Sequence, residues 1–558
     1  MTITADTIIR NGAIRTMDAD RPLAQSIAII GNRIVRVGSE AECEVLRGPK
    51  TQVIDAKGAT ILPGFNEAHL HIFGGSVSLQ QLPVADVKGI DELRARITAW
   101  RAQNPELDFI VGHSAPYNFI TDERMPRRED LDAACPDIPL LIASADHHTG
   151  WANTLALTLA GIDKGADVGH GSEVVTGPDG LATGELREAP AMNRVYALSP
   201  SGGRDQLGAV TTAEDSGITQ EQRASDIAAL REGLAYCARN GITSIQNMDG
   251  NYYQLDMLRE LQAKDALPIR VRVPYLLKPG TPAAEIRAAA DWRQEFQNDF
   301  LTCDFVKIFA DGVVESGTAV LVDGYTDAPD HNGTQLFSDK DLNEAIAFAD
   351  SLGLQVAVHA IGDGAVRQVL NAYEVARTAN GPRDSRHRIE HIELLQESDF
   401  PRFAELGVVA SMQPSHPPGA MDFPVETYLP RIGREREDIA FRTRELLESG
   451  VPLVFSSDWP VSRLEPLASI QAAVNRKPWH DGGKDQSVTL NQALHAYTRA
   501  GAWVEFQEDR KGKLAPGYLA DIVILDADLT SVPSDELSGV LPVMTICNGK
   551  VIYRDDEF

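Results

Sequence analysis

Cysteine, basic residues and long apolar runs are all scarce in this 558-residue sequence. The five cysteines are scattered and lack Cys-x-x-Cys spacing, which excludes a zinc finger and is typical of reduced thiols in a cytosolic protein. Lys and Arg total 52 against 80 Asp and Glu, and the resulting net charge of -28 disfavours nucleic acid and anionic lipid as partners. No apolar stretch approaches the ~20 residues of a membrane span, and the first residues lack the features of a signal peptide. We therefore expect a cytoplasmic protein.

Hydrophobic residues make up 43% of the chain, which at this length is enough for one large α/β domain with smaller modules attached. Residues 6–61 are short alternating segments broken by Asn-Gly, Gly-Asn and Lys-Gly pairs, a pattern typical of β-hairpins. The last stretch repeats this pattern, with Asn548-Gly549 matching Asn11-Gly12. We predict that residues 1–62 and 506–558 form one small β module.

Between these ends, over residues 63–505, apolar runs alternate with amphipathic helical stretches. The alternation is clearest in the second half, where LQVAVHA, HRIEHI, VVASMQP and PLVFSSD are separated by helical segments, apart from a loop after VVASMQP. This order favours a (β/α) barrel or a doubly wound sheet, and both bind ligands at the carboxyl ends of their strands. Residues 73–218 are less regular, with a helix near Asp91 to Gln103 and a Gly/Pro-rich passage, and are predicted to form an insertion over the barrel mouth.

Histidines and an aspartate stand at the ends of several predicted strands. His69 and His71 lie two residues apart after ATILPGF and project to one side, although a structural role for such a pair is equally common. His359, His391 and Asp458 end three later apolar runs. Imidazole nitrogen with carboxylate oxygen suits Zn²⁺, and other divalent transition metals also fit this donor set.

Lys307 lies inside the apolar run CDFVKIFADG, where an unpaired ammonium is costly. Two interpretations stand at this point. In one, Lys307 is ion-paired or extends its amine to water. In the other, its neutral amine takes up CO₂, and the carbamate bridges two metal ions.

The order of these residues resembles the metal-dependent amidohydrolase superfamily, in the branch that includes N-substituted formamide deformylase. The resemblance covers nearly the whole chain. The matching motifs are Pro63-Gly64-Phe65, His69-x-His71, Val306-Lys307-Ile308-Phe309 with Asp311-Gly312, Ala357-Val358-His359-Ala360-Ile361-Gly362-Asp363, Arg388-Ile389-Glu390-His391, Gln413-Pro414-x-His416, Ser456-Ser457-Asp458-Trp459-Pro460 and Gly512-Lys513-Leu514-x-Pro516-Gly517. Two positions depart from the family pattern. Glu67 stands where aspartate is usual, and Val313-Val314-Glu315 replaces small residues and is expected to reshape the pocket.

The resemblance implies a TIM-like (β/α)₈ barrel, a β-sandwich built from both termini, and a binuclear centre of two Zn²⁺ ions. His69, His71 and Asp458 would bind the first ion, His359 and His391 the second, and carboxylated Lys307 would bridge them. The implied reaction is hydrolysis of a C–N amide bond by a hydroxide held between the metals. Asp458 would then act as the general base and later as the general acid.

Outside the metal shell, further residues are candidates for catalysis and for substrate binding. His148, in Asp146-His147-His148, and His416 are candidate catalytic groups, as oxyanion donor or substrate contact. Candidate substrate-binding residues are His113, Tyr117, Phe119, Trp151, Glu188, Met412 and Trp459. For the aromatic residues taken singly, core packing is the more common role, and Glu185 and Glu188 also fit solvated helix charges.

The expected partner is a small-molecule amide, in a homo-oligomer predicted to be a dimer. Two alternatives remain open. The same metal shell serves deaminases and cyclic amide hydrolases, because the fold does not determine the substrate. A non-catalytic scaffold is the other alternative, and the complete ligand set argues against it.

Overall fold

The structure, a computed structural model, describes residues 3–169, 171–206, 217–421 and 423–558. Position 170 and residues 207–216 of the predicted insertion lie outside the described residues. In the described part of the chain, no helix is both long enough and apolar enough to cross a membrane.

The chain begins with short strands and one short helix. They are β1 (Thr7–Arg10), β2 (Ala13–Arg15), β3 (Leu23–Ala24), β4 (Ser26–Ile30), β5 (Arg33–Gly38), α1 (Glu40–Glu44), β6 (Gln52–Asp55) and β7 (Thr60–Pro63). The pair Gly31-Asn32 closes the β4–β5 hairpin as predicted. Asn11-Gly12 does not close one, because β1 and β2 belong to different sheets, and Asn11 takes its positive φ of 52° between them.

The next region contains a strand of the central sheet and then a separate sheet. Its elements are β8 (Phe65–Leu70), α2 (Ile72–Ser78), β9 (Leu82–Pro83), α3 (Ile90–Gln103), β10 (Ile110–Ala115), α4 (Arg128–Ala134), β11 (Leu140–Ser144), β12 (Thr149–Ala152), α5 (Thr154–Leu159), β13 (Glu173–Thr176), β14 (Ala182–Arg187) and α6 (Ala189–Tyr196). Strands β9 to β14 form one sheet in the order β13-β14-β12-β11-β10-β9, here called the cap. The predicted helix at Asp91 to Gln103 is confirmed as α3.

The remaining central region alternates strands with helices, as the apolar periodicity predicts. Its elements are α7 (Gln220–Arg239), β15 (Ile242–Asn247), α8 (Tyr252–Ala263), β16 (Arg270–Arg272), β17 (Tyr275–Leu277), α9 (Arg287–Glu295), β18 (Leu301–Thr302), β19 (Phe305–Phe309), α10 (Asp339–Ser351), β20 (Gln355–Ala360), α11 (Asp363–Asn380), β21 (Arg388–His391), α12 (Arg402–Leu406), β22 (Val409–Met412), α13 (Val425–Ile432), α14 (Thr443–Glu448), β23 (Leu453–Phe455), α15 (Pro466–Val474), α16 (Leu490–Ala496) and α17 (Arg499–Val504). Thr219 and Ser338 cap α7 and α10 by accepting hydrogen bonds from their first turns.

The predicted loop after β22 is wrong in part, because it contains α13. Pro430 inside this segment and Gly433 after it resemble helix breakers in the sequence. The helix forms nevertheless, since Tyr428 and Ile432 bury one of its faces in the apolar cluster that contains Val314.

The strands of the central region are parallel throughout. One sheet has the order β18-β16-β15-β8, and another has the order β17-β19-β20-β21-β22-β23. The two sheets are continuous in the chain, because β16 and β17 are successive parts of residues 270–277, and β18 and β19 of residues 301–309. Among the described residues no ladder pairs β23 with β8. Two main-chain hydrogen bonds join their ends instead: Asp458 N–H donates to His69 O at 2.9 Å, and His71 N–H donates to Trp459 O at 2.8 Å.

The chain ends with β24 (Ile522–Leu525), β25 (Pro542–Cys547) and β26 (Lys550–Arg554). They continue a sheet of N-terminal strands in the order β26-β25-β24-β7-β2-β3. Apolar side chains from both ends of the chain, mostly isoleucine, pack in one core with this sheet. Asn548-Gly549 closes the β25–β26 hairpin with both residues at positive φ.

Candidate metal centre

The strand-end residues predicted from the sequence meet in one place. His69 lies in β8 and His71 directly after it, His359 lies in β20, His391 ends β21, and Asp458 lies just after β23. Because parallel strands end at the same edge of their sheet, residues far apart in sequence are brought together there. All five side chains are buried.

In the first half of the centre, Asp458 faces His69 and His71. Its Oδ1 lies 3.1 Å from His69 Nε2 and 3.3 Å from His71 Nε2. The other nitrogens donate to carboxylates: His69 Nδ1 to Glu390 Oε2 at 2.6 Å, and His71 Nδ1 to Asp249 Oδ1 at 3.0 Å. Such partners set the ring orientation and raise the basicity of a metal-binding histidine.

These carboxylates also control protonation in the first half. Burial acts to lower the pKa of His71, but Asp249 and Asp458 outweigh it and raise that pKa to about 9. Burial acts to raise the pKa of Asp458, yet the neighbouring His69 and His71 hold it well below its usual range. A metal ion that binds His71 must therefore displace a proton at neutral pH.

The second half of the centre has neutral partners. His391 Nδ1 donates to Gln413 Oε1 at 2.9 Å, and His359 Nε2 donates to the Gly312 carbonyl at 3.2 Å. The His416 ring stacks on that of His391 at 5.7 Å, and its Nε2 lies 3.9 Å from Asp458 Oδ2. Burial lowers the pKa of His359 and His391 well below the ordinary value, and lowers that of His416 to about 4. These imidazoles are neutral at pH 7, so each has a lone pair available.

Lys307 lies in β19 with a fully buried side chain. Its Nζ has no hydrogen-bonding partner among the described residues and sits 4.6 Å from the centre of the Phe309 ring. Burial lowers the pKa of Lys307 to about 8. Among the described residues Lys307 is therefore neither ion-paired nor extended to water, and its lowered pKa of about 8 allows part of the amine to be neutral near pH 8.

These residues fit divalent metal ions. In the described part of the chain, His69 Nε2, Asp458 Oδ1, His416 Nε2 and Lys307 Nζ are all buried without hydrogen-bonding partners. Two groups of donor atoms are close enough for an ion, and both include Asp458: one adds His69 and His71, the other His391 and His416. Nitrogen and carboxylate donors of this kind are those that Zn²⁺ prefers.

The backbone is strained at the same place. His391 has a φ of 75° and Asp458 a φ of 62°, both in the left-handed region that disfavours residues other than glycine. Such conformations concentrate at functional sites, where the surrounding structure enforces them. Here the strain directs side chains from the ends of β21 and β23 toward one point.

The metal centre opens into a cavity of about 70 Å³, which adjoins a second cavity of about 390 Å³. His148 lines the first cavity, and its Nδ1 donates to Glu188 Oε2 at 2.8 Å. Burial opposes protonation of His148, but Glu188 outweighs it and raises the pKa to about 9. His113, Tyr117 and Trp459 line the second cavity.

Several predicted pocket residues have other roles. Phe119 and Trp151 pack against each other in the cap core, with ring centres 5.5 Å apart, and Met412 is buried in the core of the central sheet. Among the described residues, these three line neither cavity, because their apolar side chains are taken up by packing. Glu188 acts through His148, and Glu185 pairs with Arg187 at 2.7 Å.

The structure also shows where the two departures from the family pattern lie. Glu67 is buried, and its Oε1 accepts a hydrogen bond from Ser457 N–H at 2.7 Å, next to Asp458. Burial raises the pKa of Glu67 to about 8. Val313 and Glu315 both line the first cavity, so this segment shapes the pocket.

The sequence reasoning missed the partners of the histidines, namely Glu390, Asp249 and Gln413. Asp249 had a signal, because it follows the end of β15 just as the predicted ligands follow other strands. Glu390 and Gln413 stood inside quoted motifs, but their partners lie on other strands. Glu390 is also held by Arg388, whose Nη2 lies 2.9 Å from Glu390 Oε2.

Comparisons with known proteins found relatives that match this chain over nearly its whole length. Protein LONG AFTER FAR-RED 3 of Arabidopsis thaliana is 30% identical to this chain, across 99% of it and 92% of that protein. N-substituted formamide deformylase of Arthrobacter pascens is 26% identical, across 99% of each chain. The crystal structure of an uncharacterized metal-dependent hydrolase from Pyrococcus horikoshii OT3 matches with a TM-score of 0.71 and 26% identity, covering 95% of this chain and 99% of the other.

The overall fold is shared with that solved metal-dependent hydrolase, and in this chain imidazoles and a carboxylate gather at the strand ends; together these features define a metal-dependent hydrolase. The chain belongs to the amidohydrolase family, whose profile matches residues 52–553. This confirms the resemblance found in the sequence. The protein is therefore an enzyme that hydrolyses carbon–nitrogen bonds.

Proposed function

We propose that the protein hydrolyses the amide bond of a small N-acyl compound, with N-substituted formamides as the first candidates. The observation that carries this proposal is the position of Asp458, whose Oδ1 faces His69 and His71 and whose Oδ2 faces His391 and His416. The similarity to a formamide deformylase over 99% of the chain supports the choice of substrate.

We further propose that the parallel strands close into a (β/α)₈ barrel over residues 63–505, with the insertion of residues 73–218 at its mouth. The main-chain hydrogen bonds between the ends of β8 and β23 support closure. A β-sandwich of residues 1–62 and 506–558 completes the proposed architecture, and the core shared by both chain ends supports it.

The proposed cofactor is a pair of Zn²⁺ ions. His69, His71 and Asp458 would hold one ion, His359 and His391 the other, and carboxylated Lys307 would bridge them. The orphaned amine of Lys307 supports the carbamate, because its buried nitrogen has a pKa of about 8 and is partly neutral near pH 7. Its lone pair forms a bond to the carbon of CO₂, and the nitrogen releases a proton.

When bound, divalent ions supply Lewis acidity, which acidifies water and polarises a carbonyl oxygen. The chain supplies the proton transfers. Asp458 is ionised, since its pKa is held low by His69 and His71 against the effect of burial, and it accepts the proton of the attacking water. Asp458 then passes this proton to the leaving nitrogen, and the products are a carboxylic acid and an amine.

His148 is the proposed donor to the substrate carbonyl oxygen. The Glu188 carboxylate outweighs burial and keeps the pKa of His148 at about 9, so the ring is charged at neutral pH. Because Nδ1 is engaged by Glu188, Nε2 is the nitrogen that remains for the substrate. A charged donor is suited to the negative charge that develops on this oxygen.

A substrate screen tests the proposal. The metal-loaded protein is incubated with N-substituted formamides, N-acyl amino acids and cyclic amides, and released amine or acid is measured. Hydrolysis of formamides, lost after chelation and restored by Zn²⁺, is the expected result. Hydrolysis of cyclic amides alone would replace amide cleavage of N-acyl compounds with the cyclic amide alternative, and no hydrolysis of any class would contradict the proposal.

A further inference from the structure

We infer that the substrate cavity contains a subsite for a positively charged nitrogen, formed by Glu393, Glu315 and Asp146. Resting on the proposed amide hydrolysis, this subsite defines the substrate class as amides that carry an ammonium or guanidinium group. None of these three residues is a metal ligand described above, and none is a hydrogen-bonding partner of those ligands.

The three carboxylates reach the cavity from separate loops. Asp146 follows β11 in the cap, Glu315 follows β19, and Glu393 follows β21. All three line the first cavity together with His391 and Asp458, and Asp146 and Glu315 also line the second. A ligand at the metal centre therefore lies in the same space as these carboxylates.

Two of the carboxylates are buried with an oxygen unused. Glu393 is 7% exposed and Asp146 is 8% exposed, and Glu393 Oε2 and Asp146 Oδ2 have no hydrogen-bonding partners among the described residues. The Tyr428 hydroxyl is the neighbouring protein donor to Glu393. A buried carboxylate oxygen without a donor costs free energy, so donors from a ligand in the cavity would stabilise it.

In the part of the chain that the structure describes, the cations near these carboxylates are engaged by other groups. In the described part of the chain, no lysine or arginine nitrogen lies within 4.0 Å of these three carboxylates. Arg431 approaches, but it donates to the main-chain carbonyl of Glu315 at 3.1 Å and pairs with Asp327 at 4.0 Å. His148 also faces the cavity, and its charge is matched by Glu188.

The spacing of the carboxylates indicates an organic cation and not a further metal ion. Among the described residues, the donor groups compact enough for an ion contain none of these three carboxylates. An ammonium or guanidinium group presents several N–H donors in different directions and suits acceptors that are further apart. The net charge of -28 also attracts cationic substrates over long range.

The first experiment measures binding without catalysis. Titration calorimetry compares n-butylammonium with n-butanol on the metal-loaded full-length protein and on its Glu315→Gln and Glu393→Gln variants. Glu106→Gln is the matched control, because it removes the same charge from an exposed position in the cap region. We expect n-butylammonium alone to bind, and each cavity variant to weaken it about tenfold or more, as for hydrogen bonds to charged groups. Equal binding of both probes, or affinity unchanged in both cavity variants, would overturn the subsite.

The second experiment measures specificity. We compare kcat/KM for N-formyl-1,4-diaminobutane, which is charged, with that for N-formylbutylamine, which is neutral. The wild type is expected to prefer the charged amide, and Glu315→Gln to reduce the preference about tenfold, with Glu106→Gln unchanged. A wild-type preference for the neutral amide, or equal losses on both amides in the variant, would contradict the inference. Failure of the proposed function is distinguishable, since cation binding would then persist while neither amide is hydrolysed.

Discussion

The two halves of the metal centre differ in what lies behind their imidazoles. Carboxylates of Glu390 and Asp249 support His69 and His71, whereas His359 and His391 are supported by a carbonyl and an amide. His71, His359 and His391 are all buried, so burial alone does not explain why the pKa of His71 is raised while the pKa values of the other two are lowered. The charge of the supporting group decides it, because a nearby anion favours the charged imidazole and a neutral acceptor does not offset burial.

Because of this difference, the two halves are expected to differ both in their affinity for a metal ion and in whether a proton must leave before the ion binds. The first half has more negative charge to offset a cation, but it must release a proton from His71. The second half is already neutral, but it depends on Asp458 and on the proposed carbamate of Lys307 for negative charge. We therefore expect the first half to hold its ion more strongly and with a steeper pH dependence.

The largest effect is expected from Asp458→Asn, because Asp458 is common to both halves. The amide cannot accept a proton, so kcat should fall by roughly 10²- to 10⁴-fold, while its oxygen still serves as a ligand and metal is retained. Steady-state kinetics and metal analysis measure the two quantities. Retained turnover would remove Asp458 from proton transfer, and Asp20→Asn, at an exposed position, is the control.

A smaller effect is expected from Asp249→Asn, which makes the first half resemble the second. The hydrogen bond to His71 is kept but its charge is lost, so Zn²⁺ affinity of the first half should fall by about 10- to 100-fold. A competitive chelator titration measures this affinity. Unchanged affinity would show that the charge behind His71 does not distinguish the halves.

The pH dependence of metal binding separates the halves without mutation. Asp249 and Asp458 outweigh burial and hold the pKa of His71 at about 9, so below pH 9 a proton competes with the metal at that ring. Affinity of the first half should therefore rise about fivefold from pH 8 to pH 9. Affinity of the second half should rise less than about twofold there, because burial lowers the pKa values of its imidazoles far below this range and lowers that of Lys307 to about 8, so that only Lys307 still titrates.

Titration calorimetry with Zn²⁺ at constant bicarbonate resolves two binding steps. Repeated at several pH values, it gives the slope of affinity against pH for each step. The Asp249→Asn variant is the control, since its first step should lose most of the dependence. Equal slopes for both steps in the wild type would contradict the assignment of the raised pKa to the first half.

The smallest effect is expected from Gln413→Glu, which places a carboxylate behind His391. The Ser456 hydroxyl, which now accepts from Gln413 at 2.9 Å, can donate to the new carboxylate. Zn²⁺ affinity of the second half should rise by a few-fold, at the low end of the roughly tenfold effects of such partners. A chelator titration on this variant measures it, and weaker binding would show that geometry outweighs charge at this position.

The sequence was sufficient for the main elements of this protein. Periodicity predicted the alternating strands and helices and the helix near Asp91 to Gln103, because both depend on nearby residues. The motifs around His69, Lys307 and Asp458 indicated the family, which the comparisons confirm. The helix at Val425–Ile432 was missed, since Pro430 has the local signature of a breaker and only burial of Tyr428 overrides it.

Tertiary structure alone decided which groups support the ligands and which residues face the cavity. Glu390 lies 321 positions from His69, and Asp249 lies 178 positions from His71, so no local pattern connects them. Phe119 and Trp151 are aromatic residues of the kind that often line substrate pockets, but here packing within the cap buries them. A sequence pattern records the period of its own strand or helix, whereas the pairing of side chains across strands depends on register and on the closure of the sheet.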